Sequence, residues 1–389
     1  MKKKVLFVNG HLNAGGVEKA LIDVLRHIDY ERFDVELLLL EGLGDYAPLL
    51  PKQVHVIERP LQNTYGSVAG ALSRCIRERD WFSLKMRVIF LVMKLFGQKY
   101  IRLAGKLLLG NNRYDCAIGF RPGICTQIAA FAADADRRIT WWHHGEINVP
   151  VDAYQECALA CDKIAVVSDG CRRMLAQEMP GLSDKLVTIH NMLDVDAVSQ
   201  RAQTDPYSDK SVKHIVSVGR LAPEKHFDNA IRAARALKDR EIPFCWHLVG
   251  DGPLRGELET LVREMDVEDC FRFEGNQPNP YPFFRHADLF VHPSYVESFG
   301  IVVTEAMALG VPCVVTRSIG PEEFVEDGRN GLLTDQSAGS LTEAVLRILE
   351  DRVLYDAIRA ETRCPEKYLP AAVMAQINAL LEPGKPSPV

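Results

Sequence analysis

Short apolar runs alternate with amphipathic stretches along the first half of the chain. The runs predict strands at 4–9, 34–40, 55–57, 115–120, 138–143, 163–168 and 186–190. Helical spacing of apolar residues falls between them, at about 17–28, 67–109, 123–133, 153–160 and 169–178. Apolar strands that alternate with helices are typical of a parallel sheet with both faces covered. The first half therefore predicts a doubly wound α/β domain.

The pattern lapses into a polar stretch between Asp194 and Lys213, which we interpret as a linker. It then restarts, with strands predicted at 214–219, 244–250, 271–275, 288–294 and 312–316 and helices at about 226–240, 253–265, 300–309 and 340–360. A last helix is predicted at about 366–382, in either domain. We therefore predict tandem α/β domains at 1–195 and 210–364, followed by a helix and tail at 365–389. Ligands of such sheets bind at the carboxyl ends of the strands, so we expect the site in a cleft between the domains.

Composition narrows the class of protein. The 389 residues are 47% hydrophobic and carry a net charge of −6, which fits a globular protein and argues against a nucleic-acid partner. The apolar run between the basic start and Asn9 is too short for the core of a signal peptide, and no uncharged stretch approaches the roughly 18 residues that span a bilayer. The ten cysteines are scattered without a C-x-x-C pair, as expected for buried thiols in a reducing cytosol. We expect a cytoplasmic protein.

Glycines and cations mark three predicted strand-to-helix loops. Gly15 and Gly16 precede the first helix, where backbone amides suit an anion, although a tight turn explains them as well. Arg220 and Lys225 follow the strand that ends at Gly219, and this pair of cations suits a diphosphate; a solvated loop would explain one charge as easily. The loop at 250–252 places Gly250 and Gly252 where backbone could approach a ligand, or where a simple turn is needed.

Two further segments carry candidate chemistry. His143 and His144 end a strand, and alternation sends them to opposite sides, so at most one should reach a cleft; a structural histidine is the commoner case. The stretch "YVESFGIVVTEAMALGVPCVVT" at 295–316 places Glu297 and Glu305 eight positions apart across an apolar turn.

Taken together, "GGVEKAL", "HHG", "VSVGRLAPEKHFDNAI", "LVGDGP" and "ESFGIVVTEAMALGVPCVVT" resemble a family 4 glycosyltransferase of the bacterial surface-polysaccharide type, most specifically across 212–335. The resemblance implies the GT-B fold: two tandem Rossmann-like domains that face a central cleft, with the last helix crossing back. It makes 1–195 the acceptor-side domain and 210–364 the donor-binding domain. It also implies a retaining, metal-independent hexosyltransferase that uses a nucleotide-sugar donor and a glycan or polyprenyl-linked acceptor in lipopolysaccharide or capsule biosynthesis.

The resemblance also assigns roles to residues. Glu297 corresponds to the first glutamate of the E-x7-E motif, beside the transferred sugar, and Glu305 to the second, which accepts hydrogen bonds from the donor ribose. Arg220 and Lys225 neutralise the diphosphate, and His144 contacts the sugar. The remaining positions implied to bind the donor are Gly15, Gly16, Gly219, Gly250, Gly252, Ser298, Phe299, Gly300 and Ile301.

No cofactor or metal is expected, since Arg and Lys can stabilise the leaving diphosphate and a triplet of the D-x-D form, "DVD" at 194–196, falls in the predicted linker. The base of the donor is open between UDP-sugars, favoured by analogy, and GDP-mannose. A phosphorylase of this fold would need a cofactor lysine, and between 214 and 366 the sequence contains only Lys225, whose place after a strand suits a diphosphate, and Lys238 in a predicted helix. A sugar-nucleotide epimerase or a non-catalytic sugar-nucleotide-binding protein is the alternative to a transferase.

Residues 72–113 are strongly basic, with ten Lys and Arg against Glu78 and Asp80. A stripe at helical spacing contains Val88, Leu91, Leu95, Phe96, Tyr100, Leu103 and Leu107, and Lys99, Arg102 and Lys106 lie beside it. We expect 84–109 either to contact an anionic membrane, on the inner face of the plasma membrane, or to cover the sheet with its apolar face and leave its charges in solvent.

Overall fold

The computed structural model describes residues 2–61 and 68–382. The chain divides into two compact units, of which the first comprises Met1–Met192 with Val373–Val389 and the second comprises Leu193–Ala372. The start of the helix predicted at 67–109 and the end of the tail predicted at 365–389 lie outside the described residues.

The first unit is built on a parallel sheet of seven strands in the order β3-β2-β1-β4-β5-β6-β7. Its strands are β1 Lys3–Asn9, β2 Phe33–Leu39, β3 His55–Glu58, β4 Arg113–Gly119, β5 Asp134–Trp142, β6 Lys163–Val166 and β7 Leu186–Thr188. Its helices are α1 Gly16–His27, α2 Val68–Arg77, α3 Trp81–Phe96, α4 Gly105–Leu109, α5 Ile124–Gln127, α6 Val151–Leu159 and α7 Asp169–Glu178. A π-helical turn, Ile128–Ala132, extends α5.

The second unit has a parallel sheet of six strands in the order β10-β9-β8-β11-β12-β13. The strands are β8 Lys213–Val218, β9 Phe244–Val249, β10 Phe271–Gly275, β11 Leu289–His292, β12 Cys313–Thr316 and β13 Leu332–Thr334. The helices are α8 Val195–Arg201, α9 Phe227–Asp239, α10 Arg255–Glu264, α11 Tyr281–Arg285, α12 Ile301–Ala308, α13 Ala338–Glu350 and α14 Arg352–Glu361. The last helix, α15 Pro370–Leu381, runs from the end of this unit into residues that group with the first.

The prediction of two tandem doubly wound domains is confirmed. The strands form where continuous apolar runs were found, and their central residues are buried on both faces, as in β8 and β9. Two predicted helices are divided. Within 67–109, Asp80 caps the start of α3, and Gly97, with φ 106°, ends it. Within 340–360, Asp351 caps α14 and separates it from α13.

The interpretation of 194–213 as a structureless linker is wrong, because the segment begins with α8. Asp194, the first residue of the "DVD" triplet, is the N-cap of that helix and accepts a hydrogen bond from the Ala197 amide at 2.9 Å. Farther along α8, the Arg201 guanidinium lies 4.8 Å from the centre of the Tyr281 ring. The helix is short and mostly polar, so its apolar period is too brief to stand out in the sequence. It belongs to the packed second unit.

Each sheet reverses its strand order at one point, between β1 and β4 in the first unit and between β8 and β11 in the second. In open α/β sheets, the loops that follow these two strands diverge to opposite faces and leave a crevice at the carboxyl edge. The residues that follow β8 and β11 are therefore the ones most favourably placed to bind a ligand in the second unit.

Candidate active site

An ion pair joins the loops that follow β8 and β11. Lys225 Nζ contacts Glu297 Oε1, and the two side chains are only 20% and 12% exposed. Burial alone would raise the pKa of Glu297, but the Lys225 charge and a hydrogen bond from His292 outweigh it and hold the pKa well below its usual range. Glu297 therefore stays a carboxylate at neutral pH and only accepts hydrogen bonds.

His292, the last residue of β11, supports this carboxylate from the core. Its Nε2 lies 2.9 Å from Glu297 Oε1, and its ring is 1% exposed. Burial lowers the pKa of His292, and the contact with Glu297 does not fully offset that effect, so the ring is neutral at pH 7. Since an ionised carboxylate has no proton to give, His292 Nε2 carries the hydrogen. Its Nδ1 is buried and has no partner among the residues that the structure describes.

Arg220 contrasts with Lys225. Its side chain is exposed, and it forms no side-chain hydrogen bond or ion pair with any residue in the ranges 2–61 and 68–382. A guanidinium can bind two phosphate oxygens at once in a planar, bidentate geometry. The loop after β8 thus offers one cation that is already compensated and one that is available.

Glu305 is in the second turn of α12 and is 3% exposed. Its Oε1 accepts a hydrogen bond of 3.1 Å from the Tyr281 hydroxyl, which comes from α11. The ring of Tyr281 also contacts Arg201 of α8, so three short helices converge near this carboxylate. The two glutamates of the motif therefore have separate partners, a lysine and a histidine for Glu297 and a tyrosine for Glu305.

The turn between the two glutamates is tightly held. Gly300 is the N-cap of α12 and has φ 86° and ψ 56°, a conformation that favours glycine. Ser298 and Ile301 are half-buried, and Phe299 is buried with its ring 4.9 Å from that of Tyr368. The first amides of a helix lack intrahelical acceptors, so the start of α12 carries a partial positive charge.

The two glycines after β9 have a structural explanation. A Cβ atom at Gly250, where φ is 138°, would lie 1.9 Å from the carbonyl oxygen of Gly219. A Cβ at Gly252 would lie 2.5 Å from the carbonyl oxygen of Leu221. The loop after β9 therefore packs directly on the backbone of the loop after β8, and this contact requires glycine. Contact of Gly219, Gly250 and Gly252 with a ligand stays a prediction.

The first unit has a charged cluster at its own strand reversal. Gly15 is the N-cap of α1, Gly16 begins that helix, and Glu18 in its first turn is 4% exposed. Arg121, two residues after β4, donates from Nη1 to Glu18 Oε1 at 3.2 Å and lies 3.4 Å from His11 Nε2. The Gly-Gly loop thus faces a carboxylate that is already paired with an arginine.

The two histidines after β5 differ in burial. His143 lies between aromatic rings, with its centre 4.7 Å from that of Phe120, and burial, with His144 and Arg121, holds its pKa well below the usual range. His144 is half-buried, and burial, with a smaller effect of the Arg121 charge, lowers its pKa to about 4. Both rings are neutral at pH 7. His144 is more exposed to solvent than His143, which agrees with the prediction that His144 is the histidine that contacts the sugar. That role stays a prediction.

Three polar groups of these clusters were missed in the sequence. His292 ends an apolar strand, Tyr281 begins the short helix α11 in a Pro-rich stretch, and Arg121 follows a buried strand. A polar residue at the carboxyl end of a strand next to the strand reversal was the signal that could have found His292 and Arg121. Tyr281 had no comparable signal, because its contact with Glu305 depends on the placement of α11.

Residues 199–363 match the family described as glycosyl transferases group 1. The match lies within the second unit and includes the Lys225–Glu297 pair, His292 and Glu305. Among characterised relatives, the lipopolysaccharide core biosynthesis glycosyltransferase LpsE of Rhizobium meliloti is 37% identical over 155 residues, which are 40% of this chain and 44% of that protein. Like LpsE, several of these relatives are matched over only about half of their own length.

The chain is similar over most of its length to a Campylobacter jejuni protein named N-acetylgalactosamine-N,N'-diacetylbacillosaminyl-diphospho-undecaprenol 4-alpha-N-acetylgalactosaminyltransferase. It is 25% identical and covers 93% of this chain and 95% of that protein. Anabaena HepE, solved in complex with UDP and glucose, has a TM-score of 0.69 at 21% identity, over 97% of this chain and 99% of HepE. Staphylococcus aureus TarM reaches a TM-score of 0.71 at 14% identity, over 98% and 100%. The predicted fold class is thereby confirmed.

Proposed function

We propose that this protein is a retaining glycosyltransferase that moves a hexose or N-acetylhexosamine from a nucleotide-diphosphate sugar to a hydroxyl of a glycan or lipid-linked acceptor. The observation that carries the proposal is the cluster of Lys225, Glu297 and His292 at the strand reversal of the second unit, within the residues that match group 1 glycosyltransferases. The products belong to surface-polysaccharide or lipopolysaccharide biosynthesis, the pathway named for several relatives.

The charges at this edge suit the reaction. When the bond between the anomeric carbon and the phosphate oxygen breaks, negative charge develops on the leaving diphosphate. Arg220 and Lys225 would stabilise that charge in the transition state more than in the bound donor. With two cations supplying this stabilisation, the proposed reaction needs no divalent metal.

The proposed transfer step retains the configuration of the anomeric carbon by front-face attack. The acceptor hydroxyl attacks the anomeric carbon from the face that the diphosphate leaves, and its proton passes to the departing phosphate oxygen. Glu297, held ionised by Lys225 and His292, accepts hydrogen bonds from the sugar hydroxyls and fixes the orientation of the ring. Because Glu297 already shares its charge with Lys225 and His292, we assign it the role of a hydrogen-bond acceptor rather than of a nucleophile, and without a proton it cannot act as a general acid.

Glu305 has a separate task in the proposed complex. It accepts hydrogen bonds from the ribose hydroxyls of the donor, with the Tyr281 hydroxyl keeping its carboxylate in place. We favour UDP over GDP as the nucleotide. Anabaena HepE and the pneumococcal O-GlcNAc transferase GtfA were both crystallised with UDP, and both have this fold.

Calorimetric titration of the intact protein with UDP, GDP, ADP and CDP tests the donor class. We expect UDP to bind most tightly and EDTA to leave the affinity unchanged. Incubation with UDP-glucose, UDP-GlcNAc and GDP-mannose then measures UDP or GDP release as turnover. Binding of UDP without release of product from any donor would favour a non-catalytic nucleotide-sugar-binding protein, and absence of binding to all four nucleotides would refute the proposal.

Variants of the two glutamates test whether Glu305 acts mainly in nucleotide binding and Glu297 mainly in sugar transfer. Glu305→Ala should mainly weaken nucleotide binding, since a lost hydrogen bond to a charged group is worth roughly 1.5–3 kcal/mol, or about 10- to 150-fold. Glu297→Ala should mainly lower the rate of transfer. Glu259→Ala is the matched control, because Glu259 forms an exposed ion pair with Arg255 on α10. Equal, mild effects of the two active-site variants would contradict the assignment.

A further inference from the structure

One surface of the first unit exposes large apolar side chains. Val88, Leu91, Leu95 and Phe96 on α3, with Leu103 in the segment that follows it, are each between 53 and 65% exposed. We call these five residues the outer apolar surface. Single exposed apolar residues are ordinary, but a contiguous group of this size marks a site of interaction.

The helix that carries this surface is apolar on two sides. The inner side of α3 places Met86, Ile89 and Met93 in the core of the first unit. The stripe of apolar residues that the sequence shows is therefore largely the side that faces away from that core. The expectation that the stripe covers the sheet is wrong for five of its seven residues; Tyr100 and Leu107 do pack on the core.

The charges around the outer apolar surface are mostly positive, although the Glu156 carboxylate of α6 accepts hydrogen bonds from the Gln98 and Lys99 amides just after Phe96. No Asp or Glu occurs between Trp81 and Tyr114, whereas seven Lys and Arg do. Lys85, Lys94 and Lys106 are exposed and form no ion pair with any residue in the described part of the chain. Exposed cations elsewhere in the protein commonly have acidic partners, as Lys210 has in Asp205. This surface therefore carries an excess of exposed positive charge.

We propose that the outer apolar surface and its lysines bind the surface of a lipid bilayer that contains anionic lipids. Aromatic and aliphatic side chains that insert at the level of the headgroups, surrounded by Lys and Arg, are the chemistry of an interfacial helix. Unpaired lysines complement phosphate headgroups and do not complement a second copy of this basic surface. The 16 residues of α3 would lie along the membrane over about 24 Å. Of the helices that the structure describes, none is long and apolar enough to cross a bilayer.

Sedimentation with sucrose-loaded vesicles tests this proposal on the intact protein without any assay of activity, so its result is independent of the function proposed above. One vesicle population is pure phosphatidylcholine, and the other contains equal parts of phosphatidylcholine and phosphatidylglycerol. We expect wild-type protein to sediment with the anionic vesicles and to bind them less in high salt. Each basic residue near an anionic surface contributes about 1 kcal/mol, or about fivefold in partitioning.

Matched variants separate the two components of binding. Leu95→Ser with Phe96→Ser should reduce partitioning at least tenfold, whereas Val353→Ser, at an exposed apolar residue of α14, should leave it unchanged. Lys94→Gln should reduce it about fivefold, and Lys52→Gln, at an exposed lysine of the same unit, should not. Because all the substituted side chains are exposed, the variants should keep the wild-type circular dichroism spectrum.

Three outcomes would overturn the proposal. The first is that wild-type protein fails to bind anionic vesicles, and the second is that the Leu95 and Phe96 variant binds as well as wild type. The third is that wild type binds no vesicles and the Leu95 and Phe96 variant has a different molar mass from wild type in analytical ultracentrifugation. That result would make the surface an interface between protein molecules.

Discussion

The two units carry an ion pair at the same point of the same topology, with the charges reversed. In the first unit, the carboxylate of Glu18 follows the first strand and Arg121 follows the fourth. In the second unit, Lys225 follows the first strand and the carboxylate of Glu297 follows the fourth. A histidine accompanies each pair, His11 in the first unit and His292 in the second.

The pairs differ in the exposure of the cation and in the contact of the histidine, although Glu18, at 5%, is less exposed than Glu297, at 12%. Arg121 is 31% exposed, and His11 Nδ1 lies 3.7 Å from Glu18, beyond a hydrogen bond. His292 is fully buried and bonds directly to Glu297. A charge pair in a drier setting is stronger, and loss of one partner leaves a larger uncompensated cost. Equivalent positions in two similar folds therefore need not have equivalent chemistry, and the second unit has the more rigidly fixed carboxylate.

The largest effect is expected from loss of the cation in the second unit. Lys225→Ala should lower kcat/KM about a thousandfold, because it removes stabilisation of the leaving diphosphate and leaves Glu297 unpaired. Arg121→Ala should cost at most about tenfold, because Arg121 is more exposed than Lys225, at 31% against 20%, and stabilises no leaving group in the proposed reaction. Steady-state assays of nucleotide release measure both. Lys213→Ala is the control, at an ion pair with Asp288 on the far end of β8; equal losses for Lys225 and Arg121 would remove the contrast.

Glycine substitutions in the two units should also differ in their effect on the free energy of unfolding. Gly250→Ala should lower the free energy of unfolding by about 3 kcal/mol, because its Cβ would collide with the Gly219 carbonyl and φ is positive. Gly15→Ala should cost less than about 1 kcal/mol, since Gly15 is extended, with φ −175°, and its Cβ would meet only the movable Glu18 carboxylate at 2.5 Å. Urea denaturation followed by circular dichroism gives both values, and a larger loss for Gly15→Ala would contradict this explanation.

The histidines provide a third contrast. His292→Leu removes the hydrogen bond that orients Glu297 and should lower kcat about thirtyfold with little change in KM, from about 2 kcal/mol for a bond to a charged group. His292→Asn keeps a donor and should restore part of the rate. His11→Leu, at the looser contact with Glu18, should change kcat less than threefold. A purely structural role for His292 would instead lower the thermal midpoint without the rescue by Asn.

The smallest effect concerns pH. Between pH 6.5 and about 4 the unfolded His144 imidazole binds a proton and the folded one does not, so stability should fall as the pH is lowered through this range. His144→Asn should remove this contribution, on the order of 2 kcal/mol, and flatten the profile. His55→Asn, at an exposed histidine of the same unit, is the control. Urea midpoints between pH 4 and 7 provide the test, and identical profiles for wild type and His144→Asn would contradict the expectation.

The fold could be predicted from the sequence because burial on both faces of a parallel strand leaves a continuous apolar run. Twelve of the strands were predicted within a few residues, and β13 was missed because its two adjacent leucines form no longer apolar run. The contact between Lys225 and Glu297 spans 72 residues and depends on β8 lying next to β11. Local pattern suggested that both residues were functional but could not show that they touch.

Other features depend on what lies opposite a residue. Gly15 and Gly250 look alike in sequence, yet one faces a movable side chain and the other a carbonyl oxygen. In the sequence, His292 is simply the last residue of an apolar strand. Its hydrogen bond to Glu297 becomes evident only when the structure brings the two side chains together. The apolar stripe of α3 was visible, but a helix that is apolar on two sides does not show which side faces the core. These distinctions belong to tertiary structure.

The chain order of the units bears on how the protein is made. Residues from 373 onward group with the first unit, and Glu382 pairs there with Lys3 and Arg32, so some of its earliest and latest residues meet. During translation, the first sheet must wait for the whole of the second unit before its last helix is available. A chain that stops near residue 370 would contain all thirteen strands but lack the helical residues that group with the first unit. Completion of the amino-terminal unit is therefore coupled to synthesis of residues that follow the second unit.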